Sequence, residues 1–167
     1  MLAGFLGMHT FQGDTGAGLS PGLRLGGLLG GYASPVFSLN GELALDFLNF
    51  DNANGASAAR AVLAFSPLYH LPSGNVELVI GPKIGAWATS ISYDDNTSSS
   101  ANGYVLGINA GLFAHVGNVN LGGLASFEAG YATKICGDNG LGEVCRDTVG
   151  SEKDADKVLA ITGAILY

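Results

Sequence analysis

Residues 37–47 constrain the fold of this chain more than any other stretch. Phe37, Leu39, Gly41, Leu43, Leu45 and Phe47 alternate with Ser38, Asn40, Glu42, Ala44 and Asp46. A period of two puts the first set on one face of a β-strand and the second on the other. The run is about 11 residues long, twice the usual strand of a globular protein and long enough to cross a bilayer.

The alternation recurs through 19–31, 59–71, 77–91, 104–116, 119–131 and 158–167. Residues 2–12 are apolar on both faces, and His9 is assigned to the polar side. Eight strands follow, and an even number lets an antiparallel up-and-down barrel close. The connections fall into two kinds. Those near 33–35, 72–75 and 117–118 are tight and carry Ser34-Pro35, Pro72-Ser73-Gly74-Asn75 and Gly117-Asn118 as turn residues. Those near 13–18, 51–57, 94–102 and 134–156 are longer and rich in Asp, Asn, Gly and Ser. Long loops on one rim and short turns on the other are the layout of an all-β transmembrane barrel. Residues 1–167 read as a single domain.

Alternation alone does not say which face looks outward, but charge does. Only 13% of residues are charged, where about 25% is usual. The outer wall of a soluble barrel would need many more. Arg24, Glu42, Asp46, Arg60, Lys83 and Glu128 lie mid-strand on the polar faces and sum to zero; Glu77 lies at a strand end. A neutral ion-pair network belongs inside, because unpaired buried charge is very costly and an eight-stranded barrel has room only for side chains. Inward glycines at 26, 30, 81, 85, 107, 111, 122 and 130 make space for Arg24, Arg60, Lys83 and Trp87, the last an interior plug. The apolar faces then meet lipid. Outward Phe37, Tyr69 and Tyr167 sit at the short-turn rim, and Phe47, Tyr104 and Tyr131 at the long-loop rim, as two aromatic girdles. Phe65 and Phe127 fall between them.

The net charge of −7 excludes a basic nucleic-acid footprint. No apolar run is long enough for a transmembrane helix. No positively charged leader precedes Leu2; if the protein is exported, this chain is expected to be the mature part with an added or retained Met. Cys136 and Cys145 flank a glycine-rich loop and suit a disulfide in an oxidising compartment better than a zinc site; two free thiols are the alternative.

In strand number, charged interior, loop asymmetry and a C-terminal strand ending in Tyr167, the chain resembles the small eight-stranded outer-membrane barrels of the OmpA/OmpX type. The resemblance implies a bacterial outer membrane, contact with lipopolysaccharide, and use of the terminal aromatic strand by the barrel-insertion machinery. That family more often ends in Phe. A monomer is expected, because every outward face is lipid-like.

The functional residues divide three readings. A structural and surface-interaction protein would use the ion network as a plug and present its loops, chiefly 134–156, to an extracellular ligand. A small-solute or ion channel would use the same residues as a polar gate. A lipid-modifying enzyme would need a Ser-His-acid set. Ser126 and Glu128 share a face, yet no histidine is placed beside them, with His70 and His115 near the short turns and His9 toward the other rim. The expectation is therefore a non-enzymatic protein without cofactor or metal. Asp138 to Glu143 lacks the full ligand spacing of a calcium loop, and Asp147, Glu152, Asp154 and Asp156 add acidity to the same loop.

Overall fold

The computed structural model describes residues 1–12, 19–50, 57–93, 97–138, 142–148 and 155–167. Its strands are β1 (Leu2–Gln12), β2 (Leu19–Ser34), β3 (Phe37–Phe50), β4 (Ser57–Phe65), β5 (Leu68–Ser73), β6 (Val76–Ser92), β7 (Ser98–Val116), β8 (Val119–Asp138), β9 (Glu143–Asp147) and β10 (Ala155–Leu166). They pair antiparallel in a ring, with β4 and β5 each lying between β3 and β6, β9 hanging on β8 alone, and β10 closing the ring by pairing with both β8 and β1. Counting β4 and β5 as one stave, the ring has eight staves.

Sidedness follows the alternation. Leu43 is 54% exposed, while Arg24, Glu42 and Lys83 are each 1% exposed. This is the reverse of a water-soluble protein, and such a wall is stable only against hydrocarbon. Along β7 the outward run from Tyr104 to Val116 spans about 40 Å of strand, or about 30 Å along the axis of a barrel tilted 35–45°. In β1, Ala3, Phe5 and His9 face inward and Leu2, Leu6 and Met8 outward, so His9 lies on the polar side.

Three features depart from the sequence reading. The stretch 59–71 is not one continuous strand. Pro67 has no N–H for the ladder, and the pairing breaks at Ser66-Pro67. The Ser66 N–H donates to the Asn40 carbonyl at 2.7 Å and the His70 N–H to the Val36 carbonyl at 2.9 Å, which keeps the interrupted stave on β3. Side-chain alternation survives, with Ser66, Leu68 and His70 all inward.

The second departure is strand length at the long-loop rim. Residues 98–102, expected in a loop, belong to β7, and β8 continues to Asp138. The third is β9, which folds back on β8 inside the expected loop 134–156 and pairs Lys134–Asp138 with Asp147–Glu143. β6, β7, β8 and β9 thus continue as a sheet above the barrel wall. Below Tyr104, β7 is apolar outward; above it the outward residues are Asn102, Ser100 and Ser98, which marks where hydrocarbon ends. The rise above Tyr104 is about 20 Å along the strand.

At the opposite rim three connections are two-residue turns, at 35–36, 74–75 and 117–118. Gly74 and Gly117 open two of them at φ of 62° and 63°, values that glycine adopts without a Cβ penalty. The expected loops at 13–18 and 51–56 lie outside the described residues. So do 94–96, 139–141, and Glu152 and Asp154 of the acidic cluster.

Candidate functional site: the polar interior

Two rows of charged residues face each other across the lumen. The register sets Arg24 opposite Asp46 and Asp46 opposite Arg60, one row across β2, β3 and β4. On the far wall it sets Lys83 opposite Gly107 and Gly107 opposite Glu128, across β6, β7 and β8. Alternation alone turned these side chains inward; the register brought them level.

Arg24 grips Asp46 with two hydrogen bonds, Nε to Oδ1 at 2.7 Å and Nη2 to Oδ2 at 3.1 Å. Its Nη1 lies 2.7 Å from Glu128 Oε1. Arg60 donates to Asp46 Oδ2 at 3.0 Å and to Glu128 Oε2 at 3.1 Å, so it spans the lumen. Lys83 donates to Glu128 Oε1 at 2.8 Å and is also paired with Glu42. All six residues are buried. Charged hydrogen bonds of this kind are the strong ones, and the Arg–carboxylate fork fixes orientation. Asp46, not Glu42, sits between the two arginines, and Glu42 lies two inward positions further along β3. Glu42 instead accepts from Asn109 Nδ2 at 2.9 Å.

Trp87 closes the cluster on its long-loop side. Its Nε1–H donates to the Tyr104 carbonyl at 3.1 Å, and the Arg60 guanidinium carbon lies 5.7 Å from the ring centroid. Gly130 makes room: a Cβ there would come 3.1 Å from Trp87 Nε1. His9 is buried beside Asp46, Nδ1 to Oδ1 at 3.7 Å, with its ring edge-on to Phe11.

A second polar group lies nearer the short turns, and the sequence reading misses it. Ser38 Oγ is 2.7 Å from His70 Nε2, and His70 Nδ1 is 2.5 Å from Glu77 Oε1. All three residues are buried. Asn40 Nδ2 donates to Ser38 Oγ at 2.8 Å and to the Ser66 carbonyl at 3.0 Å, and Asn109 Nδ2 donates to Ser66 Oγ at 2.7 Å. These bonds join the two groups. The signal in the sequence is that Ser38, His70 and Glu77 share the inward phase, although Glu77 lies at a strand end.

Most of the remaining candidates sit apart from the lumen. Phe37 and Tyr69 meet at 4.9 Å near the short turns, and Tyr104 stacks on Tyr131 at 4.9 Å near the long loops. Phe47 and Tyr167 are exposed outward. Cys136 and Cys145 are cross-strand partners on β8 and β9, joined by a disulfide. Glu143 lies near them, but the paired sulfurs leave no thiolate to bind a metal. His115 is exposed and pairs with the Asn120 side chain. Ser126 donates to Glu128 at 3.2 Å, and no histidine bonds to it among the described residues.

An apolar exterior around a neutral, hydrogen-bonded interior defines an eight-stranded barrel of the outer-membrane kind. No family model and no curated protein matches the sequence. Solved structures match its fold. Neisserial surface protein A superposes with a TM-score of 0.69 at 12% identity, over 99% of this chain and 94% of that one. A major outer membrane protein of Thermus thermophilus gives 0.62 at 12% identity, over 99% and 97%. Ail, the attachment invasion locus protein of Yersinia pestis, gives 0.54 at 16% identity, over 99% and 94%. At these identities the likeness is one of fold.

Proposed function

We propose that this chain is a closed anchor in the bacterial outer membrane that holds a disulfide-tied ridge, and the long loops around it, outside the cell. The observation that carries this reading is the ion cluster. It draws on β2, β3, β4, β6 and β8 and bridges the lumen at Arg60 and Glu128. A solute passing through would have to break several buried charge pairs at once, each costly. The polar gate of a channel is therefore the weaker reading. The β7–β8–β9 ridge supplies the working surface, since β9 is exposed along its whole length. The neighbours include a surface protein and an attachment invasion protein, which agrees with a role in surface contact. Lipopolysaccharide would surround the aromatic level at Tyr104 and Tyr131.

Two measurements test this. In planar bilayers the purified barrel is expected to give no steady single-channel openings; openings that change on neutralising Lys83 or Glu42 would establish the channel instead. On intact cells a membrane-impermeant amine reagent is expected to label Lys134, at the base of the ridge. Labelling only after the cells are broken open would invert the orientation and overturn the reading.

A further inference from the structure

We propose that Ser38, His70 and Glu77 form a nucleophile–base–acid relay that makes Ser38 acylable by esters of short carboxylic acids at the short-turn rim. This goes beyond surface display and does not depend on it.

Three strands bring the set together: Ser38 from β3, His70 from β5 and Glu77 from β6. The distances of 2.7 Å from serine to imidazole and 2.5 Å from imidazole to carboxylate meet the geometry of a serine nucleophile with an oriented base. With Nδ1–H donating to Glu77, the Nε2 lone pair faces the Ser38 hydroxyl, which is the tautomer a general base requires. Asn40 Nδ2, 2.8 Å from Ser38 Oγ, is a donor held in place by its second bond to the Ser66 carbonyl. Its bond to Oγ fixes the position of the Ser38 hydroxyl, with the hydroxyl proton left for His70 Nε2.

The surroundings set the substrate class. A cavity of about 10 Å³ lies beside His70, walled by Phe5, Leu28, Leu68, Val79 and Phe113 among others, with His70 its one polar side chain. Ser38 is not among its walls, so the cavity meets the set only through His70; its space, about one methyl-sized group, favours a short acyl part such as acetyl. Tyr32 is the cover. It stands opposite Ser38 in the β2–β3 register, its ring centroid is 4.9 Å from that of His70, and it is 51% exposed at the rim.

In the reaction Ser38 Oγ attacks the ester carbonyl as His70 Nε2 takes its proton. Glu77 stabilises the imidazolium. The C–O bond to the leaving alcohol breaks, and the alcohol departs with the proton from Nε2. A water molecule from the rim then attacks the acyl-serine, giving its proton to Nε2. Carboxylic acid leaves, and Ser38 recovers its proton.

The test uses the folded, detergent-solubilised protein, with a fluorophosphonate probe and p-nitrophenyl acetate. Ser38 is expected to be labelled, and Tyr32→Ala to speed labelling by uncovering it. Ser38→Ala should abolish both labelling and turnover. Glu77→Gln, which keeps a hydrogen bond to the imidazole but not the charge, should slow both by about 10²- to 10⁴-fold while the heat-modifiable gel band shows the barrel still folded. Acetate should be cleaved faster than hexanoate. No labelling in either the unaltered protein or Tyr32→Ala would overturn the proposal, as would labelling that Glu77→Gln leaves unchanged. Preference for hexanoate would overturn the acetyl assignment.

Discussion

Glu128→Gln is the sharpest perturbation of the interior. Glu128 is fully buried and faces three cations, with Arg24 at 2.7 Å, Lys83 at 2.8 Å and Arg60 at 3.1 Å. Neutralising it leaves three cations against two carboxylates in a site without bulk water. Breaking a buried pair typically costs about 3–5 kcal/mol. Here each cation keeps one partner, Asp46 for the two arginines and Glu42 for Lys83, which places the expected loss near the lower bound, about 3 kcal/mol. Adding Lys83→Met restores neutrality. The double variant should therefore lose less than the sum of the single losses, by about 1–3 kcal/mol. Trp87 is the one tryptophan in the chain and sits against Arg60, so urea unfolding in lipid vesicles can be followed by its emission. A loss below about 1 kcal/mol for Glu128→Gln, or strict additivity in the double variant, would show these charges to be solvated and would refute the plug.

Three further outcomes are expected. Leu43→Arg, on the lipid face at mid-strand, should destabilise the barrel by about 2–4 kcal/mol in bilayers, measured by the same titration. Gly81→Ala would drive a Cβ to 1.9 Å from the Pro67 carbonyl, and a cost of about 1–3 kcal/mol should appear as a lowered unfolding midpoint. The Cys136–Cys145 disulfide closes no loop of the barrel ring, so the heat-modifiable gel shift should persist when it is reduced. Amide exchange in β9 should speed by roughly 100-fold, matching about 2–3 kcal/mol of lost loop constraint.

The barrel was legible because its signal is local. Each stave carries its own alternation, and the phase alone turned Arg24, Asp46, Lys83 and Glu128 inward. What alternation does not carry is height. Pairing Arg60 with Glu128, 68 positions away in sequence, requires the register of the staves between them. The same gap hid Ser38, His70 and Glu77, which meet only once β3, β5 and β6 are aligned. Pro67 reads as one more outward residue, although its missing N–H breaks the ladder. β9 was hidden by composition: the glycines around Cys136 and Cys145 look like an irregular loop, yet Lys134–Asp138 and Glu143–Asp147 pair across it.

The break at Pro67 has a consequence for how this protein can vary. Where the ladder lapses, Asn40 reaches from β3 to the Ser66 carbonyl, and Asn109 reaches from β7 to its hydroxyl. Those same amides touch Ser38 on one side and Glu42 on the other. Wall and filling are therefore stitched with shared thread, so a change to either end of the lumen at this height must be answered by a change in the seam.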